Sequence, residues 1–542
     1  MKSLMKKVFA AAAAIATVFG LAATTVATAN AADNATLTVS TTDAKFAGKT
    51  VNAYKMFSAT VSGDGKAVSY TLTDEWKPFF KDSTASGLAG NDVTDANVSD
   101  KAYDYVSGLK NNASALAAFA TKASNWAQTK ANNITAGATA KVSAAATDGK
   151  YLATFTGLDY GYYVVAVPGA TVADTKSQYA TLVSVDKAHV DFNIKGALPT
   201  VDKKVQVGST GKDAADAKIG DTLTFTLTST IPDMSAYSTY TFNFNDTLSK
   251  GLTFKQVDSV KVEGANSSLT EGTDYTVTKS ETTDNTLLTV AMKDFKTRQQ
   301  ANAGKTITVT YTATLNKDAV VGGAGNVNSA TIQYSNNPST DGTGESEPSK
   351  VRVFTYGFTV DKYTGDEYTD GAARLPGAKF TLAPKNGDPM SFVKVKDGNA
   401  TENAVYRVAT DDEKTSTTIT TTTTIITPAS GKVDFQGLKN GEYTLTETEA
   451  PAGYNKLASA IGVKVEGQND GTDTMNATVH ITYNNDNGSN YDKTASKGVI
   501  PVRNKSGVVL PGTGGMGTIA FTVIGVLVIA LGAAWTLKRK NA

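Results

Sequence analysis

The chain has 542 residues, too many for one ordinary hydrophobic core, so three or more domains are expected. Hydrophobic residues make up 40% and charged residues 19%, which excludes a disordered chain, and 52 basic against 51 acidic residues give no electrostatic reason to expect a nucleic acid partner. Cysteine is absent, which excludes disulfides and thiolate metal sites; with only two histidines, His189 and His480, a Ser-His-Asp hydrolase or a His-ligated zinc enzyme is poorly supplied.

Short alternating runs rich in Thr, Val and Tyr predict an all-β protein. In chain order, Met1 to Lys7 is cationic, an apolar run follows from Val8 to about Thr28, and Ala29-Asn30-Ala31 closes it. This is the pattern of a secretory signal peptide over 1–31, cut after Ala31. The first β module, 32–195, contains strand patterns at Leu37–Thr41 and Phe155–Val167 and a predicted helix at about Ala113–Lys130. Leu116, Phe119, Ala123 and Trp126 form one stripe of that helix, read as core packing. The module ends on Val190-Asp191-Phe192-Asn193-Ile194-Lys195-Gly196, a strand pattern closing on a lysine; Lys187 is the second candidate for an exposed, reactive amine.

The middle module, 196–352, opens on Val201, Lys203 and Val205, which share a strand face. Strands are predicted at Thr222–Ser229, Thr239–Asn245 and Thr306–Leu315, with a closing strand in Gly325–Asn336. The Asn/Asp/Gly-rich stretch Tyr334–Ser349 lacks the spacing of a calcium loop and reads as a solvated linker. In the third module, 353–509, Phe358, Val360 and Lys362 share one face, as do Tyr443, Leu445 and Glu447, and Ile500, Val502 and Asn504. A lysine, an acid and an asparagine on core faces suggest one event. A lysine amine neutralised by burial attacks the Asn carbonyl, a protonated acid shuttles protons, ammonia leaves, and an amide joins two strands. The Thr-rich run Thr415–Thr427 reads as an exposed strand. Phe155–Val167 aligns without gaps on Phe435–Glu447, but Val167 and Thr41 stand where Glu447 and Lys362 do, so the first module is expected to lack such a bond.

The chain ends with Leu510-Pro511-Gly512-Thr513-Gly514, an apolar stretch from about Ile519 to Leu537, and Lys538-Arg539-Lys540. The stretch can span a bilayer and the basic tail should remain cytoplasmic. This order resembles the Leu-Pro-x-Thr-Gly cell-wall sorting signal of Gram-positive surface proteins, here 510–542. The resemblance implies that a sortase thiolate attacks the Thr513 carbonyl and releases Gly514.

Tyr443, Leu445, Glu447, Ala450-Pro451 and Gly453-Tyr454 resemble the E-box of Gram-positive pilins. That family implies tandem immunoglobulin-like, Cna-type β-sandwiches, with Lys362 as nucleophile, Glu447 as catalytic acid and Asn504 as acceptor of an isopeptide bond. Gly325–Asn336 and Phe242–Leu248 resemble the middle-domain segments of pilin shaft subunits, which implies a Lys203–Asn328 bond assisted by Asp246, with Lys204 and Asn326 as the adjacent alternatives. Lys195 partly resembles the lysine of the Tyr-Pro-Lys pilin motif, with Asn193 and Ile194 in place of Tyr and Pro. The resemblance implies the non-enzymatic backbone subunit of a covalent surface pilus. Subunits would join through Thr513 of one and Lys195 of the next, then be anchored to peptidoglycan. The implied partners are pilin-polymerising and housekeeping sortases, further copies of the chain and minor pilins; no cofactor or metal is implied. An unpolymerised wall-anchored adhesin and an ancillary pilin share many of these features. A wall hydrolase finds no nucleophile elbow or zinc motif.

Overall fold

The computed structural model describes residues 34–540, except 64, 89, 91, 173–177, 195, 236, 337–341, 469–477, 486–489 and 508–515. The signal segment, Lys195 and Leu510–Gly514 therefore lie outside the described residues. The chain divides into two compact units, one reaching to Tyr356 and one starting at Gly357.

Alternation builds the sheets. Thr306–Leu315 buries every second residue (Ile307, Val309, Tyr311, Ala313 and Leu315), as a strand with one core face must. Within the first unit, the first module pairs Ala35–Thr41 with Tyr151–Leu158 on one side and, in parallel, with His189–Asn193 on the other. A six-stranded sheet around Thr50–Val61 and Gly161–Val172 completes it. The predicted helix runs Ala113–Gln128, with the Asn112 side chain capping Ala115 N; Leu116, Phe119 and Ala123 are buried and Trp126 packs against the same core. The helical content exceeds the expected single insertion. Lys77–Lys81 and Val98–Gly108 also form helices, because Phe79, Phe80, Val98, Ala102 and Val106 supply further apolar stripes to that core.

The middle module contains a five-stranded sheet carrying Asp202–Val207, Thr222–Thr230 and Thr306–Leu315, and a seven-stranded sheet carrying Phe242–Ser249, Asn326–Ser335 and Ser349–Phe354. The described part of the stretch expected as a linker, 334–336 and 342–349, is instead part of this module. Thr343–Glu345 pairs with the end of Asn326–Ser335, and the Ser346 hydroxyl, buried, accepts from Ile332 N at 2.9 Å.

The second unit has two six-stranded sheets. One carries Tyr356–Tyr363, Lys432–Leu438 and Val499–Arg503; the other carries Lys379–Pro384, Gly441–Glu449 and Ile461–Gln468. The Thr-rich run is not one strand. It follows a short helix, Asp411–Thr415, and makes two two-residue strands, Thr421–Thr422 and Ile425–Ile426. Ile425 and Thr427 are buried, and the Thr427 hydroxyl donates to Leu375 O at 2.9 Å, so side-chain bonds to turns replace a ladder here. After the second unit's last strand, an apolar helix, Met516–Lys540, contains a 19-residue stretch, Phe521–Arg539, long enough to cross a membrane.

Candidate functional site

Lys203 lies on the strand Asp202–Val207, on the core face of the five-stranded sheet. Asp246 and Asn328 come from adjacent antiparallel strands of the seven-stranded sheet, where Leu248 is registered with Asn328 and Asp246 with Ala330. The side chains of Asp246 and Asn328 therefore fall on one face, two residues apart along the ladder. All three are fully buried. Lys203 Nζ lies 2.6 Å from Asp246 Oδ2 and 2.8 Å from the Tyr311 hydroxyl, and over the Phe225 and Tyr311 rings at 5.2 and 5.0 Å. Asn328 Nδ2 donates to the Tyr311 hydroxyl at 2.6 Å, and that hydroxyl donates to Asp246 Oδ2. Burial pushes the Lys203 amine down to about 8, with the Asp246 charge opposing the shift.

The second unit holds a parallel arrangement. Lys362 and Val502 are registered on neighbouring parallel strands, Tyr356–Tyr363 and Val499–Arg503, so Asn504 follows one step beyond the ladder. Glu447 reaches in from the opposite sheet. Lys362, Glu447 and Asn504 are buried. Lys362 Nζ is 3.2 Å from Glu447 Oε1 and 3.3 Å from Val502 O. Asn504 Nδ2 donates to Glu447 Oε2 at 3.0 Å and to Asn455 O at 2.8 Å, while Leu457 N donates to Glu447 Oε2 at 2.7 Å. Burial pushes this amine, too, down to about 8 against the pull of Glu447.

The two clusters share a pattern of unmet acceptors. Asn328 Oδ1 in one and Asn504 Oδ1 in the other are buried without a hydrogen-bond donor, as is Asp246 Oδ1, while Glu447 Oε1 meets only the Lys362 amine at 3.2 Å. A buried acceptor left unpaired costs about 1–3 kcal/mol. Moving one proton from lysine to acid removes two buried charges and creates the missing O–H donor. The result is a neutral amine and a protonated acid in one cluster with an amide side chain, amine and amide sharing a hydrogen-bonding neighbour (Tyr311 in one, Glu447 in the other), the groups that amide exchange needs.

The adjacent alternatives are occupied otherwise. Lys204, half-buried, pairs with Asp213 at 2.6 Å and Asp202 at 3.2 Å. Asn326 is buried but satisfied: its Oδ1 accepts from Val320 N, and its Nδ2 donates to Val320 O and Val353 O. In the first module, Thr41 and Val167 are buried, and Ser40 Oγ donates to Asn193 Oδ1. Lys195 falls between Ile194, whose N donates to Ser40 O at 2.8 Å, and Gly196–Ala197, which pairs with Gly161–Val172. Lys187 is exposed between two strands. Among the described residues, no group of three or more His, Asp or Glu is placed to hold a metal.

Two features escaped the sequence reading. Tyr311 alternates with Ile307, Val309, Ala313 and Leu315 on the buried face of its strand, and a buried tyrosine needs a partner for its hydroxyl, a signal that could have placed it. Asp361, on the strand face opposite Val360 and Lys362, is also fully buried, with Arg374 Nε closing over it at 2.7 Å.

Residues 219–338 match the family described as Gram-positive pilin backbone subunit 2, Cna-B-like domain. Residues 366–481 match the SpaA prealbumin-like fold domain and residues 503–542 the LPXTG cell wall anchor motif. The chain is 26% identical over 387 residues to fimbrial subunit type 1 of Actinomyces viscosus, covering 66% of this chain and 68% of that one. It is 24% identical over 391 residues to the trypsin-resistant surface T6 protein of Streptococcus pyogenes serotype M6, covering 64% and 70%. A solved T6 backbone pilin of S. pyogenes superposes with a TM-score of 0.44 at 16% identity, over 88% of this chain and 98% of that one. Backbone-pilin and wall-anchor matches follow one another along a mostly β chain that ends in an apolar helix. Together these matches support a sortase-assembled backbone pilin, a structural shaft subunit that is exported and anchored to the cell wall.

Proposed function

We propose that this shaft is linked through Thr513 of one subunit and Lys195 of the next, and that two internal amides brace each subunit. The pilin-polymerising sortase forms a thioester at Thr513 as Gly514 leaves. The Lys195 amine then displaces the thiolate, giving an amide and free enzyme. A housekeeping sortase transfers the finished fibre to peptidoglycan, and minor pilins join it. The functional units are modules 32–195, 196–352 and 353–509, between the signal 1–31 and the sorting signal 510–542.

The internal amides are Lys203–Asn328, served by Asp246, and Lys362–Asn504, served by Glu447. The observation that carries this reading is the recurrence, in two separate cores, of a buried lysine, acid and asparagine, with the asparagine Oδ1 left without a donor in each. Each bond releases one ammonia. The mature chain should therefore be lighter than its sequence mass by two ammonias. Glu447→Ala and Asp246→Ala should each restore one, and the double variant both. A wild-type mass equal to that of the sequence would overturn the internal bonds.

A further inference from the structure

The two clusters differ in how the acid reaches the leaving nitrogen. In the second unit, Glu447 Oε2 contacts Asn504 Nδ2 directly at 3.0 Å. In the middle module the acid is one methylene shorter, and Asn328 Nδ2 instead meets the Tyr311 hydroxyl at 2.6 Å. That hydroxyl is hydrogen-bonded to all three partners: it accepts from Lys203 Nζ at 2.8 Å and from Asn328 Nδ2, and donates to Asp246 Oδ2. Its ring is stacked on Phe225, with centroids 5.3 Å apart, and is wholly buried, so the hydroxyl is held in place.

We propose that Tyr311 is a catalytic residue of the middle module, a proton relay between Asp246 and the departing amide nitrogen of Asn328. This rests on the Lys203–Asn328 amide proposed above. The neutral Lys203 amine attacks Asn328 Cγ, forming the Nζ–Cγ bond. The proton lost by Nζ goes to Asp246, while Asp246 gives a proton to the Tyr311 oxygen as the Tyr311 hydroxyl passes its own to Nδ2. The Cγ–Nδ2 bond breaks and ammonia leaves. Tyrosine and acid end as they began, and the sum is amine plus primary amide giving secondary amide plus ammonia. Burial holds the Tyr311 hydroxyl far above its ordinary pKa, so it carries the proton that the relay requires. A glutamate at 246 would add the methylene that lets the acid reach the nitrogen without the relay, as Glu447 does.

The test uses the mature chain and reads, by peptide mass after digestion, the fraction of molecules carrying each amide. Wild type, Tyr311→Phe, Asp246→Ala and the double variant Tyr311→Phe with Asp246→Glu are compared. The Lys362–Asn504 amide in the same molecules reports that the second unit has folded, and resistance of the middle module to limited proteolysis reports its own folding. The relay predicts that Tyr311→Phe loses most of the middle amide, at least tenfold in rate of formation after synthesis. The double variant should recover it, a rescue that loss of mere packing would not give. A middle amide forming at the wild-type rate in Tyr311→Phe overturns the relay, as does a double variant no better than Tyr311→Phe. A wild type without the middle amide overturns the underlying reading instead.

Discussion

Lys203 carries its amine where water does not reach, over the rings of Phe225 and Tyr311 and answered by one carboxylate. Such a pair is weak evidence for stability, because desolvation offsets most of the attraction. Forming the amide removes the charge altogether. A chain that cannot form it, such as Asn328→Ala, keeps the amine. Its folded pKa, about 8, then lies below the unfolded value, so the unfolded state binds more protons between about pH 8 and 10.4. Stability should therefore rise with pH across that window, and the destabilisation should be complete below it. Denaturant midpoints of Asn328→Ala should climb from about pH 8 to 9.5, by on the order of 2 kcal/mol. Replacing Lys203 by Met in that background should remove the slope. Equal slopes in both variants would show that the buried amine is not the cause.

The two clusters brace different pairs of elements. Lys203–Asn328 would tie one sheet of the middle module to the other, whereas Lys362–Asn504 would tie the first and last strands of a single sheet. Each closes a chain loop of well over 100 residues, and constraint of the unfolded chain on that scale is worth about 5 kcal/mol by analogy with a disulfide. Asn328→Ala and Asn504→Ala should each lower one calorimetric transition and leave the other in place, since the clusters sit in separate units. Unchanged transitions would mean that neither staple matters. Strand periodicity made much of this legible: Thr306–Leu315 is observed with its predicted ends, and Lys362, Glu447 and Asn504 face inward as alternation requires. Periodicity does not say what covers the other face, so the burial of Asp361 is not legible from it, nor what a buried hydroxyl will meet, so Tyr311 is not assigned by it. The strand holding Asp246 begins at Phe242 rather than Thr239 because its limits follow its pairing with Asn326–Ser335, a non-local fact. Lys195 and Thr513 are legible only as motif and position.

Across the whole chain, tension entering at Lys195 and leaving at Thr513 would follow the covalent path through both internal amides. The first module, where Thr41 and Val167 replace the reactive pair, would carry little of it. Linked subunits pulled end to end should then show no unfolding steps, whereas Asn328→Ala should release about 400 Å per subunit, the extended length of the loop freed. Long unfolding steps in the wild type would show that the load path is not braced. The most direct test of the account is a denaturing immunoblot of wall-extracted protein from wild type and Lys195→Ala. The account predicts a ladder of heat- and detergent-resistant species in wild type that collapses to monomer in the variant. A ladder in both would contradict Lys195 as the linking lysine and turn attention to Lys187, and a monomer in both would contradict the polymer itself.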